Sequence, residues 1–479
     1  MNDDPATTSP AQPRAGALRR LLLLRPGEGS LLASTLLAGF LVHAAYYILR
    51  PIRDSFAISA GTERLPWMIT GTLAAVLLGN LLYSFAAGRL TRGRLIPGVY
   101  RFFAVNILAF YALFLALPEA SAHTLGLGFF VWTGVFNLFA VSIFWGLISE
   151  SFDHERAVRL FGAVAAGGTL GAVFGAGAVT TLALWLGPIH LLPLGAIMIE
   201  GAIHALRSSD HAAERLRLAA PTASDAPTTL TTTAASTDAP APTPHPIEDA
   251  PVRTGRLNGL LKGLVGGSTR GLRDCAREPY LRSIALYMML FTVTSTIAYF
   301  EQTRLVGLHV QDHAGRVAML ARIDLVANIA TLILQFLVTG RLVRRIGVAW
   351  ALLLVPALTA AGFGMLYALP TLGALIAFQV ARRSVHYAVD RPTREMLFTV
   401  VPAERRLASK AFIDTFIYRG GDLIGAWGYG LMGSATSGAA SLMSLIGVPV
   451  ALAWLAGAAG LGRRHERLRR ASSGHQTAE

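Results

Sequence analysis

A stretch of charged and aromatic residues lies inside an otherwise apolar segment near the beginning of the chain. Residues 46–54 read Tyr-Tyr-Ile-Leu-Arg-Pro-Ile-Arg-Asp and follow an apolar run without a loop signal. At helical spacing Tyr47, Arg50 and Arg53, with Asp54 beside it, fall on one face. A charge near the centre of a bilayer costs roughly 2.5–3.5 kcal/mol, so this face is expected to line a bundle interior or a wet cavity. Arginine in such a cavity is suited to binding phosphate or carboxylate.

An alternative interpretation ends this helix near Leu49. Arg50 and Arg53 would then reach the membrane interface with their side chains. Pro51 removes one backbone hydrogen bond, but membrane helices tolerate such a break where neighbours or water satisfy the freed carbonyl.

A second polar segment lies much later in the chain, at the end of a long apolar stretch. Residues 299–304 read Tyr-Phe-Glu-Gln-Thr-Arg and include Glu301, Gln302 and Arg304. Arg304 lies 304 − 53 = 251 residues after Arg53. This spacing predicts that the two arginines form an opposed pair in one central cavity.

A third candidate stripe lies between residues 410 and 422. Lys410, Asp414, Tyr418 and Asp422 are each four apart and would share a helix face, with Arg419 beside them. The carboxylates Asp54, Glu301, Asp414 and Asp422 are the candidates for ion coupling. In the alternative, Lys410 and Asp414 make only surface pairs at the membrane edge, worth under about 1 kcal/mol.

Composition predicts a polytopic membrane protein. The 479 residues are 53% hydrophobic and 15% charged, with a mean hydropathy of +0.50. The net charge of +14 comes from basic residues in alternate loops, which indicates membrane topology and excludes a nucleic-acid partner. The alternation places both termini in the cytoplasm. A single cysteine, Cys275, excludes an intrachain disulfide, and the sequence lacks phosphate-loop and hydrolase motifs. We expect no enzyme activity, no metal and no cofactor.

The apolar segments predict an all-α fold of about twelve transmembrane helices in two six-helix halves. The predicted spans are 30–56, 65–87, 97–117, 125–147, 160–185, 188–206, 281–303, 317–339, 347–368, 371–389, 412–433 and 440–461. The expected organisation is a cytoplasmic tail 1–29, a first half 30–206, a disordered cytoplasmic linker 207–256, an interfacial helix 257–280, a second half 281–461 and a basic cytoplasmic tail 462–479.

The halves resemble each other in sequence. Residues 88–92 (Gly-Arg-Leu-Thr-Arg) are matched by 340–344 (Gly-Arg-Leu-Val-Arg), at an offset of 340 − 88 = 252 residues. Glycine runs starting at Gly167 and Gly420 correspond at a similar offset. Within them, the glycines spaced four apart, Gly167, Gly171 and Gly175 in one run and Gly421 and Gly425 in the other, are expected to be packing surfaces between helices. Two such halves with a long linker resemble the plan of major facilitator transporters, in which substrate binds at the midplane.

Several motifs resemble the ATP/ADP translocase family and its bacterial relatives in the major facilitator superfamily. They are 47–54, Phe-Trp-Gly at 144–146, 155–162, Arg-Glu-Met at 394–396 and 409–414. The resemblance implies nucleotide exchange, with Arg53 and Lys410 at the family's functional basic positions. The family's fourth-helix glutamate has no carboxylate counterpart here, and the nearest polar residue is Asn137.

Three functions remain open from the sequence. The first is an antiporter for an anionic or phosphorylated metabolite, nucleotide-like by resemblance, bound by the residues Tyr47, Arg50, Arg53, Asn137, Gln302, Arg304, Lys410 and Arg419. The second is a proton-coupled carrier of another small solute, and the third is a membrane scaffold without transport. We expect a multi-pass monomer in a bacterial inner membrane, with the lipid bilayer and a small anion as its partners.

The linker is predicted to be dispensable for transport, because its Ala, Pro, Thr and Ser residues cannot form a core. Deleting residues 222–244 should leave membrane insertion and solute uptake within a few-fold of the full chain. Loss of both, measured by membrane fractionation and uptake, would show that the segment is structured.

Overall fold

The computed structural model describes residue 25 and residues 27–152, 154–218, 270–336, 340–435 and 440–476. The first half contains α1 (Glu28–Ala60), α2 (Leu65–Ala87), α3 (Arg92–Ala116), α4 (Glu119–Ser151), α5 (His154–Leu186) and α6 (Leu192–Leu218). The second half begins with α7 (Pro279–His309), α8 (His313–Leu334) and α9 (Gly340–Ala368) and ends with α12 (Ala440–Gln476).

The two remaining helices of the second half are interrupted by π-helical turns. Helix α10 consists of Leu372–Val385, the π turn His386–Asp390 and Arg391–Leu397; α11 consists of Ala403–Phe412, the π turn Ile413–Ile417 and Tyr418–Ala435. The other ten helices are each long and apolar enough to span a membrane. The predicted all-α fold of twelve helices in two halves is confirmed.

The structure corrects the ends of two predicted segments. Helix α1 continues through Pro51 to Ala60, so the alternative that ended it near Leu49 is wrong. Helix α6 continues to Leu218, beyond the predicted start of the linker at residue 207. Residues 219–256, and residues 1–24 and 26 of the predicted tail 1–29, lie outside the described residues. Of the predicted interfacial segment, only its last part is described, and there residues 270–277 are helical.

Glycines allow close packing of equivalent helices in each half. A Cβ atom on Gly171 of α5 would lie 2.1 Å from the Phe40 carbonyl oxygen of α1. A Cβ atom on Gly425 of α11 would lie 3.0 Å from the Val293 carbonyl oxygen of α7. The predicted role of these glycines as packing surfaces is confirmed, because neither backbone leaves room for a side chain.

Each half also has an ion pair between the beginnings of its first and fifth helices. In the first half, buried Glu28 accepts hydrogen bonds from Arg159 Nη2 at 2.8 Å and Arg156 Nε at 3.3 Å. In the second half, Arg405 donates to Glu278. The glutamates are 278 − 28 = 250 residues apart, and Arg405 follows Arg156 by 405 − 156 = 249. The internal repeat therefore extends to these polar contacts.

The two glutamates predict unequal effects on stability. Glu28→Gln should lower the free energy of unfolding by about 1.5–3 kcal/mol, because it leaves arginines without their buried carboxylate. Glu278→Gln is the matched control and should cost under about 1 kcal/mol, since that carboxylate is exposed to solvent. Glu28 is 2% exposed and Glu278 is 44% exposed. Denaturant unfolding of the detergent-solubilised chain measures both, and equal losses would contradict the assignment.

Candidate functional site

Charged side chains from both halves meet at the middle of the protein. Asp324 Oδ1 of α8 lies 3.2 Å from Arg50 Nη1 of α1 and 2.6 Å from Arg383 Nη1 of α10. Asp54 Oδ1 accepts hydrogen bonds from Arg53 Nε at 2.8 Å and Nη2 at 2.6 Å. We call these five residues the interhalf cluster. It contains three arginines and two aspartates, so its formal charge is +1.

The interhalf cluster is largely shielded from solvent. The side chains of Asp54 and Asp324 are 4% and 5% exposed, and that of Arg383 is 8% exposed. Tyr299 of α7 donates a hydrogen bond of 3.0 Å to Asp54 Oδ1. This network joins three helices of the second half, α7, α8 and α10, to α1.

Arg382 adds a second uncompensated positive charge beside the interhalf cluster. It is 7% exposed and donates from Nη1 to Ser295 Oγ at 2.9 Å and from Nη2 to Gln379 Oε1 at 3.4 Å. Its Nε has no hydrogen-bond partner, and no carboxylate of the described residues forms an ion pair with it. Gln379 is held in turn by its 2.9 Å hydrogen bond to Gln302 Oε1. A buried arginine with these contacts is suited to bind an anion.

The predicted residues at the end of α7 form a separate cluster. Arg304 donates from Nη2 to Glu301 Oε2 at 2.7 Å, and Tyr429 of α11 donates to Glu301 Oε1 at 3.0 Å. Arg53 instead binds Asp54. No contact between Arg53 and Arg304 is present in the described residues, and the expectation that they oppose each other across one central cavity stays a prediction. Each one has a carboxylate on its own helix.

The predicted stripe on α11 is divided by its π turn. Lys410 pairs with Glu395 on an exposed surface, and Asp414 in the π turn is exposed as well. Asp422 accepts from Thr296 of α7 at 3.3 Å and lies 3.5 Å from Arg419. The prediction of one continuous face is wrong, because a π turn contains an extra residue and rotates the helix after it.

Tyr47 and Asn137, two further predicted site residues, lie in different surroundings from each other. Tyr47 is 7% exposed and packs against Ala172 and Ala176 of α5, with Arg50 over its ring at 5.7 Å. Asn137 of α4 is half-buried and makes no hydrogen bond to a described residue. Tyr47 therefore lies beside the interhalf cluster, whereas no contact connects Asn137 with it.

Three residues central to the site were not predicted from the sequence: Asp324, Arg382 and Arg383. A signal for the arginines was present, since two adjacent arginines lie inside the predicted span 371–389. Asp324 lies inside the predicted span 317–339. Its pairing with two arginines could not be predicted from spacing within one helix.

Contacts between the halves continue from the interhalf cluster toward one end of the protein. Ser55 is hydrogen-bonded to His313 at 2.9 Å, and Arg316 donates to Ser59 Oγ at 3.2 Å. Trp427 of α11 donates to Thr70 of α2 at 3.2 Å. The polar contacts described between the halves thus lie between the cluster and the end where α1 and α7 terminate.

A large apolar groove lies away from these charges. It has a volume of about 1170 Å³ and is lined by residues of α2, α3 and α4, including Leu78, Phe102 and Trp132. Its almost entirely apolar lining is typical of a surface in contact with lipid. No group of three metal-ligating side chains occurs within the part of the chain that the structure describes.

Known transporter structures share this arrangement of helices. The nucleoside transporter NupG is 13% identical with a TM-score of 0.54, over 91% of this chain and 98% of the other. An auto-inhibited POT family peptide transporter is 14% identical with a TM-score of 0.57, over 91% and 96%. A bacterial metal transporter is 12% identical with a TM-score of 0.55, over 91% and 99%. The chain has the major facilitator fold.

Comparison by sequence gives less information about this chain than comparison by structure. No protein family and no curated protein matches the chain by sequence. At 12–14% identity the major facilitator neighbours establish the architecture alone.

Asp324 is predicted to be the residue on which the interhalf cluster depends for stability. Asp324→Asn should destabilise the protein by about 3–5 kcal/mol, since it leaves Arg50 and Arg383 buried and facing each other. The double variant Asp324→Asn/Arg383→Gln should recover part of this loss by removing one of the two cations. Unfolding of the detergent-solubilised variants provides the comparison. A double variant as unstable as the sum of the two single variants would contradict the coupling.

Proposed function

We propose that the protein is a secondary transporter for a small anion, which binds between the halves at Arg382 and the neighbouring arginines Arg50 and Arg383. The observation that carries this proposal is the excess of buried positive charge there. Arg382 has no carboxylate partner in the described residues, and the adjacent interhalf cluster holds three arginines against two aspartates.

The energetics favour an anionic ligand. A buried arginine without a compensating charge is destabilising, and an anion that enters the site would supply the missing partner. The Nε of Arg382 is buried without a hydrogen-bond partner in the described residues, so a ligand that reached it would satisfy a donor that no protein group occupies. Hydrogen bonds that involve a charged group each contribute about 1.5–3 kcal/mol, so two or three of them give useful affinity.

Transport would follow from motion of one half against the other around this site. The polar contacts near Ser59 and Thr70 hold the halves together at one end. With the orientation expected from the basic loops, that end is the extracytoplasmic one in a bacterial inner membrane, and the site would open to the cytoplasm. Repacking of these contacts would expose the site to the other side.

The finer proposal is exchange of phosphorylated metabolites, and of nucleotides in particular. It is supported by the resemblance of residues 47–54 and 409–414 to the ATP/ADP translocases, and by the suitability of arginine for phosphate. The roles differ from those expected. Arg53 would act through its ion pair with Asp54, and Lys410, paired with Glu395, would act at the entrance to the site.

Counterflow in proteoliposomes tests the function. The purified full chain should exchange at least one of labelled ADP, inorganic phosphate and succinate. Arg382→Gln should weaken the apparent affinity roughly ten- to a hundred-fold, the equivalent of one charged hydrogen bond. Arg382→Lys should restore only part of it, because a point charge cannot replace the planar fork.

The matched control is Arg322→Gln, which removes an exposed arginine of α8 close in sequence to Asp324. It should exchange the same anion at the wild-type rate. Exchange by Arg382→Gln that equals wild type would overturn the anion site. Wild-type exchange of neutral solutes alone would support a carrier of another class.

A further inference from the structure

Three titratable side chains form a hydrogen-bonded row in the second half, next to the proposed anion site. Tyr287 of α7 donates to Asp390 Oδ1, and His386 Nδ1 lies 2.9 Å from Asp390 Oδ2. The Asp390 and Tyr287 residues are 0% and 1% exposed, whereas the His386 side chain is 13% exposed. Of the three side chains, only the imidazole of His386 is therefore accessible to groups other than its two neighbours.

The hydrogen bonds determine where the imidazole can take a proton. Asp390 already accepts a hydrogen bond from Tyr287, and a carboxylate cannot donate one to His386. The hydrogen on neutral His386 must therefore be on Nδ1, which leaves the lone pair on Nε2. Nε2 has no hydrogen-bond partner among the described residues, so it is free to accept a proton.

The position of His386 links it to Arg382. The two residues are four apart at the end of the regular part of α10, so their side chains are neighbours on one face. His386 begins the π turn His386–Asp390, and π turns inside α-helices frequently occur at functional sites. The ring of Phe291 stacks on His386 with centroids 4.4 Å apart, which fixes the orientation of the imidazole.

We propose that His386 is a proton-binding site that couples the transport of the anion to the movement of a proton. This inference rests on the proposed anion site at Arg382. The proton adds to the Nε2 lone pair and converts imidazole into imidazolium, while Asp390 remains a carboxylate and no other bond changes. An anion bound at Arg382 and a proton at His386 then move together.

The surrounding charges provide the coupling. The charged and titratable groups around His386 are Arg382, Tyr387, Asp390 and Arg394 on α10, with Tyr287 of α7 bonded to Asp390. Tyr418 of α11 lies against the Phe291 ring, and Asp324 of α8 pairs with the adjacent Arg383. Helices α9 and α12 contribute apolar and aromatic groups such as Trp454. Arg394 and Arg382 both oppose a positive imidazole, and the repulsion from Arg382 is the part that a bound anion can change. An anion on Arg382 offsets this repulsion, so anion and proton should each increase the affinity for the other.

The experiment uses the full chain in proteoliposomes that contain a pH-sensitive dye. The probes are labelled ADP, inorganic phosphate and succinate, with about pH 6 outside and about pH 7.5 inside, on either side of the ordinary imidazole pKa of about 6.5. The wild type should accumulate an anion above its external concentration while the interior acidifies. His386→Gln, which can still donate to Asp390, should lose accumulation and acidification but keep counterflow at equal pH within a few-fold.

Three variants separate this inference from the proposed function. His309→Gln is the control, because among the described residues His309 is hydrogen-bonded to the Leu305 carbonyl of its own helix alone, and it should behave as wild type. Accumulation by His386→Gln at the wild-type level would overturn the proton site and leave the anion site standing. Arg382→Gln should reduce both accumulation and counterflow at anion concentrations near the wild-type apparent affinity, and its full retention of both would overturn the proposed function.

A second measurement does not depend on the stability of His386→Gln, because it uses the wild-type protein. Diethylpyrocarbonate reacts with the unprotonated nitrogen of histidine, and peptide mass spectrometry can quantify the product at His386 in the wild-type protein. The reaction should rise with pH through a midpoint between about pH 5 and 8 and should slow when phosphate is present. Absence of reaction at His386 over this range would overturn the proton site.

Discussion

The ion pairs of Asp324 are the interaction on which the arrangement of the two halves depends. This one carboxylate contacts Arg50 from the first half and Arg383 from the second. Burial of such charges is costly, and their mutual attraction compensates only when every partner is in place. The pairing therefore specifies how the halves meet more than it adds to total stability. An anion that competed with Asp324 for these arginines would weaken the connection, and this offers a physical route from binding to movement.

The excess of positive charge follows from the same arrangement. Asp54 is occupied by Arg53 and Tyr299, and Asp324 is shared between two arginines, so no carboxylate in the described residues is left for Arg382. In a soluble protein a cation of this kind would be hydrated. Between packed membrane helices it is held by Ser295 and Gln379, which are neutral, and its charge remains available to a ligand.

Hydropathy, charge alternation and the 252-residue repeat were sufficient to predict twelve helices in two halves, because spanning a bilayer requires long apolar segments. The polar face of α1 was also predictable, since i, i+3 and i+4 relations within one helix follow from its geometry. The partners of these residues on other helices could not be predicted in this way. Whether Asp324 faces Arg50 or lipid depends on the rotation of α8, which its own sequence does not determine. The stripe on α11 failed for a related reason, because nothing in residues 413–417 indicates a π turn.

The central claim is that the site between the halves selects anions through Arg382, and ligand-dependent stabilisation of the purified protein tests it most directly. A ligand at a hundred times its dissociation constant stabilises the folded state by about 2.7 kcal/mol. ADP or another phosphorylated anion should raise the unfolding temperature of the wild type and have little effect on Arg382→Gln, and adenosine should do neither. Equal stabilisation by adenosine and ADP, or an undiminished effect of ADP on Arg382→Gln, would contradict the account.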